Sequence, residues 1–205
     1  VYAGCRYSFY LLLLIAVPVM INIDYLLQLW LGTVPEYTSQ FLVLALIAAL
    51  INVMAPPIVT ALQATGKIKV FQIVICIIML LELPLAYSIL YYGGKPYMAM
   101  YPTILVMFIG LFARFIILRR LIPVYRLRYF IINIVVRNLL IGMICFLLSL
   151  WIGKCFQQDF IHFLLTSLLT VVLSGFTIYI LGLSRKERTK IMILIKNKIF
   201  IKHDK

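Results

Sequence analysis

Charge is scarce in this 205-residue chain, and acidic charge is scarcest: 12% of residues are charged, with 6 Asp or Glu against 19 Lys or Arg. Soluble proteins average about 25% charged and about 45–50% apolar residues, whereas 65% of this chain is hydrophobic. A soluble globular domain is thereby excluded, and so is a disordered chain, which needs low hydrophobicity. Histidine is limited to His162 and His203, and the latter lies close to the C-terminus. No acidic pair suits a metal, and neither a nucleophile elbow nor a glycine-rich phosphate loop is present. The four cysteines, Cys5, Cys76, Cys145 and Cys155, include no C-x-x-C pair. They read as small buried hydrophobes rather than zinc or redox ligands. The expectation is a protein that is not an enzyme and has no catalytic residues, metal or cofactor. No basic stretch followed by a short apolar core and cleavage site is seen, so no signal peptide is read. The opening Val1-Tyr-Ala-Gly, without Met, reads as the interior of a longer chain.

Long apolar runs are what the chain does have. No Asp, Glu, Lys or Arg occurs from Tyr37 to Gly66, from Phe160 to Ser184, from Pro96 to Ala113, from Asn138 to Gly153 or from Tyr7 to Ile23. Val70 to Gly94 holds a single charge, Glu82. A membrane helix needs about 20 mainly apolar residues, so six are predicted: Tyr7–Leu31, Phe41–Leu62, Val70–Tyr92, Tyr97–Leu118, Ile131–Ile152 and Phe160–Leu183. Strands would leave backbone groups unpaired in lipid, and the ten-residue alternation of a barrel is absent. The fold class is therefore an all-α polytopic membrane bundle over residues 1–183, followed by a basic tail over 184–205. The first span has a second reading: a helix ending near Met20, then an interfacial helix through Trp30.

The basic residues sort by side. Arg6, Lys67, Lys69, Arg114, Arg119, Arg120, Arg126, Arg128, Arg137 and the tail fall at one set of helix ends, and only Lys95 and Lys154 at the other. Positive charge marks the cytoplasmic side, so both ends of the chain are expected there. The net +13 is then a topology signal rather than a nucleic-acid footprint.

Four residues are candidates for a substrate or ion path: Glu82, Arg114, Arg137 and Asp24. Glu82 lies 13 residues from both Lys69 and Lys95, near mid-depth. An ionised carboxylate there costs a few kcal/mol. It reads either as a proton, cation or substrate contact or as a protonated carboxyl bonded to a neighbouring helix. Arg114 and Arg137 are too shallow to reach it: by helix rise Arg114 is about 6 Å in from Leu118, and Glu82 about 18 Å in from Val70. Both arginines read as snorkelling to the cytoplasmic interface, or as touching an anionic substrate from a cavity open to that side. Asp24 lies deep if the first span runs unbroken. His162 reads as interfacial. The loop Arg119–Arg128 could hold phosphate or simply rest on anionic lipid. The tail, with Lys190, Lys196, Lys198 and Lys202, reads as a basic interfacial segment. Pro18, Pro56, Pro57, Pro84 and Pro102 lie in or beside spans, where proline kinks a helix.

Several stretches together carry a family resemblance. They are Tyr7-Ser-Phe-Tyr-Leu-Leu-Leu-Leu-Ile-Ala-Val-Pro18, Leu26-Leu-Gln-Leu-Trp-Leu-Gly-Thr-Val-Pro-Glu-Tyr-Thr38, Gln63-Ala-Thr-Gly-Lys-Ile-Lys69, Glu82-Leu-Pro84 and Leu111-Phe-Ala-Arg-Phe115. The chain resembles the polysaccharide-transport (Wzx-type O-antigen flippase) branch of the multidrug/oligosaccharidyl-lipid/polysaccharide exporter superfamily. The resemblance implies two pseudo-symmetric bundles totalling 12 or 14 helices around a central cavity, with this chain as the last six. It implies transfer of an undecaprenyl-pyrophosphate-linked oligosaccharide across the bacterial inner membrane, coupled to a proton or sodium gradient, with the C-terminus cytoplasmic. The implied partners are the lipid-linked oligosaccharide, membrane lipids, a polysaccharide polymerase and a chain-length regulator. Relatives often carry Asn at the position of Glu82. A multidrug or cation exporter of the same architecture is the alternative, and a membrane-embedded envelope-assembly enzyme a more distant one.

Overall fold

A computed structural model describes residues 1–153, 160–183, 187 and 189. The described chain is helical without strands, and six helices are long and apolar enough to cross a membrane: Tyr2–Ile21, Thr38–Ala64, Ile68–Tyr91, Pro96–Leu121, Leu127–Trp151 and Phe163–Gly182. This is the architecture of a multi-pass membrane protein, as the apolar runs predict. Apart from Glu187 and Thr189, the expected tail over 184–205 lies outside the described residues, as does the loop 154–159 with Lys154 and Cys155.

Most spans are interrupted, and the interruptions follow the sequence. The first consists of α1 (Tyr2–Ile21) and α2 (Ile23–Leu31), so the unbroken span to Leu31 is replaced by the shorter span with its following helix. The break falls at Asn22, four residues after Pro18; both the Asn22 backbone N–H (3.2 Å) and its Nδ2 (3.0 Å) donate to the Pro18 carbonyl. A second clean break at Val53–Ala55 divides the second span into α3 (Thr38–Asn52) and α4 (Pro56–Ala64), because Pro56 and Pro57 suit the first turn of a new helix. The third divides at Leu81 into α5 (Ile68–Leu80) and α6 (Glu82–Tyr91), with Pro84 in the first turn of α6. The fourth is a 3₁₀ turn, Pro96–Ala99, leading into the long α7 (Met100–Leu121). The fifth runs through α8 (Leu127–Phe130) and a wide π segment, Ile131–Val136, into α9 (Arg137–Gly153). The sixth is α10 (Phe160–Thr177), also ending in a π turn, Ile178–Gly182.

Two of the quoted motifs have a backbone reason. Gly32 ends the Leu-Trp-Leu-Gly stretch at φ 70°, and its N–H returns to the Gln28 carbonyl at 3.0 Å. Gly66 in Gln-Ala-Thr-Gly-Lys sits at φ 72°, with its N–H on the Gln63 carbonyl at 3.0 Å. Both take a positive φ at a helix end, which favours glycine.

The packing centres on α1 and α7. Helix α1 lies against α9, α10 and the second span, and α7 lies against the second and third. Lipid offers no hydrophobic gain for helix association, so close packing and interhelical hydrogen bonds must hold the bundle. Large side chains of α1 settle over glycines: Phe9 and Leu13 over Gly142, and Tyr10 over Gly182. One face of α10 carries the buried Thr166, Thr170, Ser174 and the following Thr177. Three of them return their hydroxyls to their own helix: Thr166 to Phe163 O, Thr170 to Ser167 O and Thr177 to Leu173 O. Asn22 ties α1 to α10, with Nδ2 donating to Ser167 (3.4 Å) and Oδ1 sharing the Thr166 hydroxyl hydrogen (3.1 Å) with the Phe163 carbonyl.

Contacts gather one end of the bundle. The Tyr2 hydroxyl accepts the Arg126 N–H at 2.8 Å and lies 3.3 Å from the Arg126 carbonyl. Arg6 pairs with Glu187, and Tyr7 donates to the same carboxylate at 2.8 Å. Arg137 donates to the Leu181 carbonyl. The arginines are thus collected at one end, as the charge alternation predicts.

Candidate functional site

Helix α7 carries Arg114, the buried charged residue of the bundle among the described residues. Thr103, Gly110 and Arg114 fall on one helical face, since seven and four residues are close to whole turns. Arg114 is only 7% exposed, and its Nε has no hydrogen-bond partner among the described residues. Its Nη1 lies 3.0 Å from the position a Cβ on Gly110 would take.

The reading of Arg114 as a snorkelling residue is thereby corrected. Side chains on a helix lean toward its N-terminus, and the N-terminus of α7 is the end away from the basic cluster. The missing Cβ of Gly110 leaves room one turn back, and the guanidinium occupies it. A charged arginine costs about 2.5–3.5 kcal/mol at the centre of a membrane helix on insertion scales and less toward its ends, and among the described residues no carboxylate pairs with Arg114.

Glu82 opens α6 where the third span is interrupted, and its Oε1 accepts the Thr103 hydroxyl at 2.5 Å. This is a hydrogen bond to a neighbouring helix in which the carboxyl oxygen accepts, and the depth mismatch with the arginines holds. Thr103 and Arg114 are separated by roughly 16 Å of helix rise.

Asp24 is not deep. The break at Asn22 puts it in the first turn of α2, where a carboxylate complements the helix dipole. It is exposed and accepts the Ser39 hydroxyl at 2.6 Å. With Ser39, Gln40, Tyr97 and Tyr101 it borders a hollow of about 360 Å³ at the end away from the arginines. Nearby, Glu36 beside Tyr37 pushes that phenol above its usual range.

Arg137 does not reach the Glu82–Thr103 seam. Its Nε donates to the Leu181 carbonyl at 3.0 Å, and Nη2 donates to the same oxygen. Leu181 lies in the closing π turn of the sixth span, where carbonyls lack a partner in their own helix. The arginine acts there as a clamp between the fifth and sixth spans. His162 lies in α10, but its side chain is outside the described residues.

Sequence reasoning missed three contributors. Thr103 and Gly110 are unremarkable alone; their signal is helical spacing to Arg114. Asn138 is fully buried, with Nδ2 3.5 Å from Met54 Sδ beside the break in the second span, and its Oδ1 has no partner among the described residues. An asparagine inside an uncharged run was the available signal. A separate hollow of about 200 Å³ between the first, second and fifth spans is walled by apolar side chains such as Phe9, Met20, Ile47 and Phe146. Among the described residues no group of His, Cys, Asp and Glu could hold a metal. Comparison with protein families, with curated proteins and with solved structures yields no match.

Proposed function

We propose that this chain is one bundle of an alternating-access flippase that carries an undecaprenyl-pyrophosphate-linked oligosaccharide across the bacterial inner membrane. The reading rests on the sequence resemblance, and one structural observation supports it most: Arg114, buried in a membrane-spanning helix, without a carboxylate partner among the described residues and turned away from the basic end. A buried guanidinium whose Nε has no partner among the described residues is suited to meeting an anion that enters the bundle, and a pyrophosphate is such an anion. The task requires a sugar and two phosphates to cross about 30 Å of hydrocarbon. Interrupted helices fit the rocking motion such carriers use. Glu82, bonded to Thr103 at the break in the third span, is the group that would couple transport to a proton or sodium gradient. The basic end faces the cytoplasm under the positive-inside rule. No catalytic role is assigned to any residue.

The test is to express the full-length protein in a bacterial strain lacking its own O-antigen flippase and to measure surface polysaccharide. Restored polysaccharide, with lipid-linked units no longer accumulating, is the expected result. Resistance to cationic drugs without surface polysaccharide, at confirmed membrane expression, would move the assignment to the multidrug branch.

A further inference from the structure

We propose that the loop between α7 and α8 is a resident site for the phosphate headgroup of an anionic membrane lipid, distinct from any transported cargo. A hollow of about 490 Å³ lies here, bordered by Arg119, Arg126 and Arg128 with Tyr125, Ile131 and Ile132. That volume falls within the roughly 300–1,000 Å³ of small-molecule sites. None of the three guanidiniums has a hydrogen bond or ion pair among the described residues. Like charges around one hollow repel, and the described carboxylate at this end, Glu187, is already held by Arg6 and Tyr7. The compensating charge has to come from outside the described residues.

The loop is held in place before any ligand arrives. Tyr2 fixes the Arg126 backbone through its N–H, and the Tyr2 ring packs against Tyr125 at 5.5 Å and Tyr129 at 5.0 Å. Phe115 stacks on Phe130 at 3.9 Å beneath them. Loop ordering therefore adds little to the cost of binding. The hollow is also two-sided. Arginines supply planar donors for phosphate oxygens, while Ile131 and Ile132 open the π segment of the fifth span and offer an apolar wall that continues along it. A phosphate joined to acyl chains fits both sides, whereas a free phosphate leaves the apolar wall unused. This site is independent of the flippase reading.

The test uses full-length protein in detergent, titrated with phosphatidylglycerol and followed by native mass spectrometry, with phosphatidylcholine and inorganic phosphate as comparison probes. One phosphatidylglycerol is expected to remain bound at concentrations where phosphatidylcholine does not. Arg126→Gln with Arg128→Gln is expected to weaken it at least tenfold. Because those changes remove topology signal, Ile132→Trp provides a second variant that fills the hollow at unchanged charge, and a comparable loss is expected. Lys67→Gln with Lys69→Gln removes equal charge elsewhere on the same end and should leave binding intact. Equal losses in the lysine variant, no effect of Ile132→Trp, or phosphate binding as tight as the lipid's would each overturn the proposal.

Discussion

Arg114 and Gly110 stand one turn apart on α7, and the guanidinium of the first lies over the bare Cα of the second, with Nη1 3.0 Å from where a Cβ would be. The pair explains how a membrane-spanning helix holds an arginine turned inward. Replacing Arg114 by Met removes a buried charge without stranding a partner carboxylate among the described residues. Thermal stability of the Arg114→Met protein in detergent is expected to be unchanged or higher, while transport falls at least tenfold. Loss of both together would mark Arg114 as a packing residue.

Gly110→Ala tests the same pair from the other side. Alanine in a helix interior is favoured over glycine by about 0.5–1 kcal/mol. The added methyl would meet the end of a flexible side chain, so the guanidinium rather than the backbone has to move. The expected outcome is a protein at least as stable as the parent whose transport is reduced several-fold.

Glu82 and Thr103 are separable by chemistry. Glu82→Gln keeps an acceptor for the Thr103 hydroxyl but removes the ionisable group. Interhelical hydrogen bonds in membranes average about 0.6 kcal/mol, so stability should change by less than about 1 kcal/mol while transport falls and loses its pH dependence. Thr103→Val should lower transport less. An unchanged pH series in Glu82→Gln would leave the carboxyl a packing role.

Asn22→Ala removes the bonds to Ser167 and Thr166 and the side-chain bond to Pro18 O. At the membrane scale of about 0.6 kcal/mol each, the expected loss is about 1–2 kcal/mol. Unfolding in detergent measures it.

Arg137→Gln is expected to loosen the sixth span against the fifth, by about 1 kcal/mol at this half-exposed site, and to leave transport largely intact. Transport lost at full stability would return Arg137 to the substrate path.

The uncharged runs were enough to place all six spans, because length and apolar content are what a bilayer selects for. The interruptions were half legible. Pro56-Pro57 and Pro84 mark new helices by their missing N–H groups, and Asn22 marks the break that brought Asp24 out to an exposed turn. Arg114 was misread because depth was counted along the helix axis alone. Side-chain lean adds a direction to that count, and in α7 the lean carries the guanidinium back over Gly110. Thr103 as the partner of Glu82, and the clamp from Arg137 to Leu181, depend on which helices are neighbours, and no local pattern encodes that.

The most direct measurement is the leaflet distribution of the lipid-linked oligosaccharide in spheroplasts whose sole flippase is the full-length protein, as wild type and as Arg114→Met at matched membrane levels. The wild type is expected to place the units in the outer leaflet, open to an externally added glycosidase, while in Arg114→Met they remain protected inside. Units left inside by the wild type, or exposed equally by both proteins, would contradict the assignment of an anion-carrying path through Arg114.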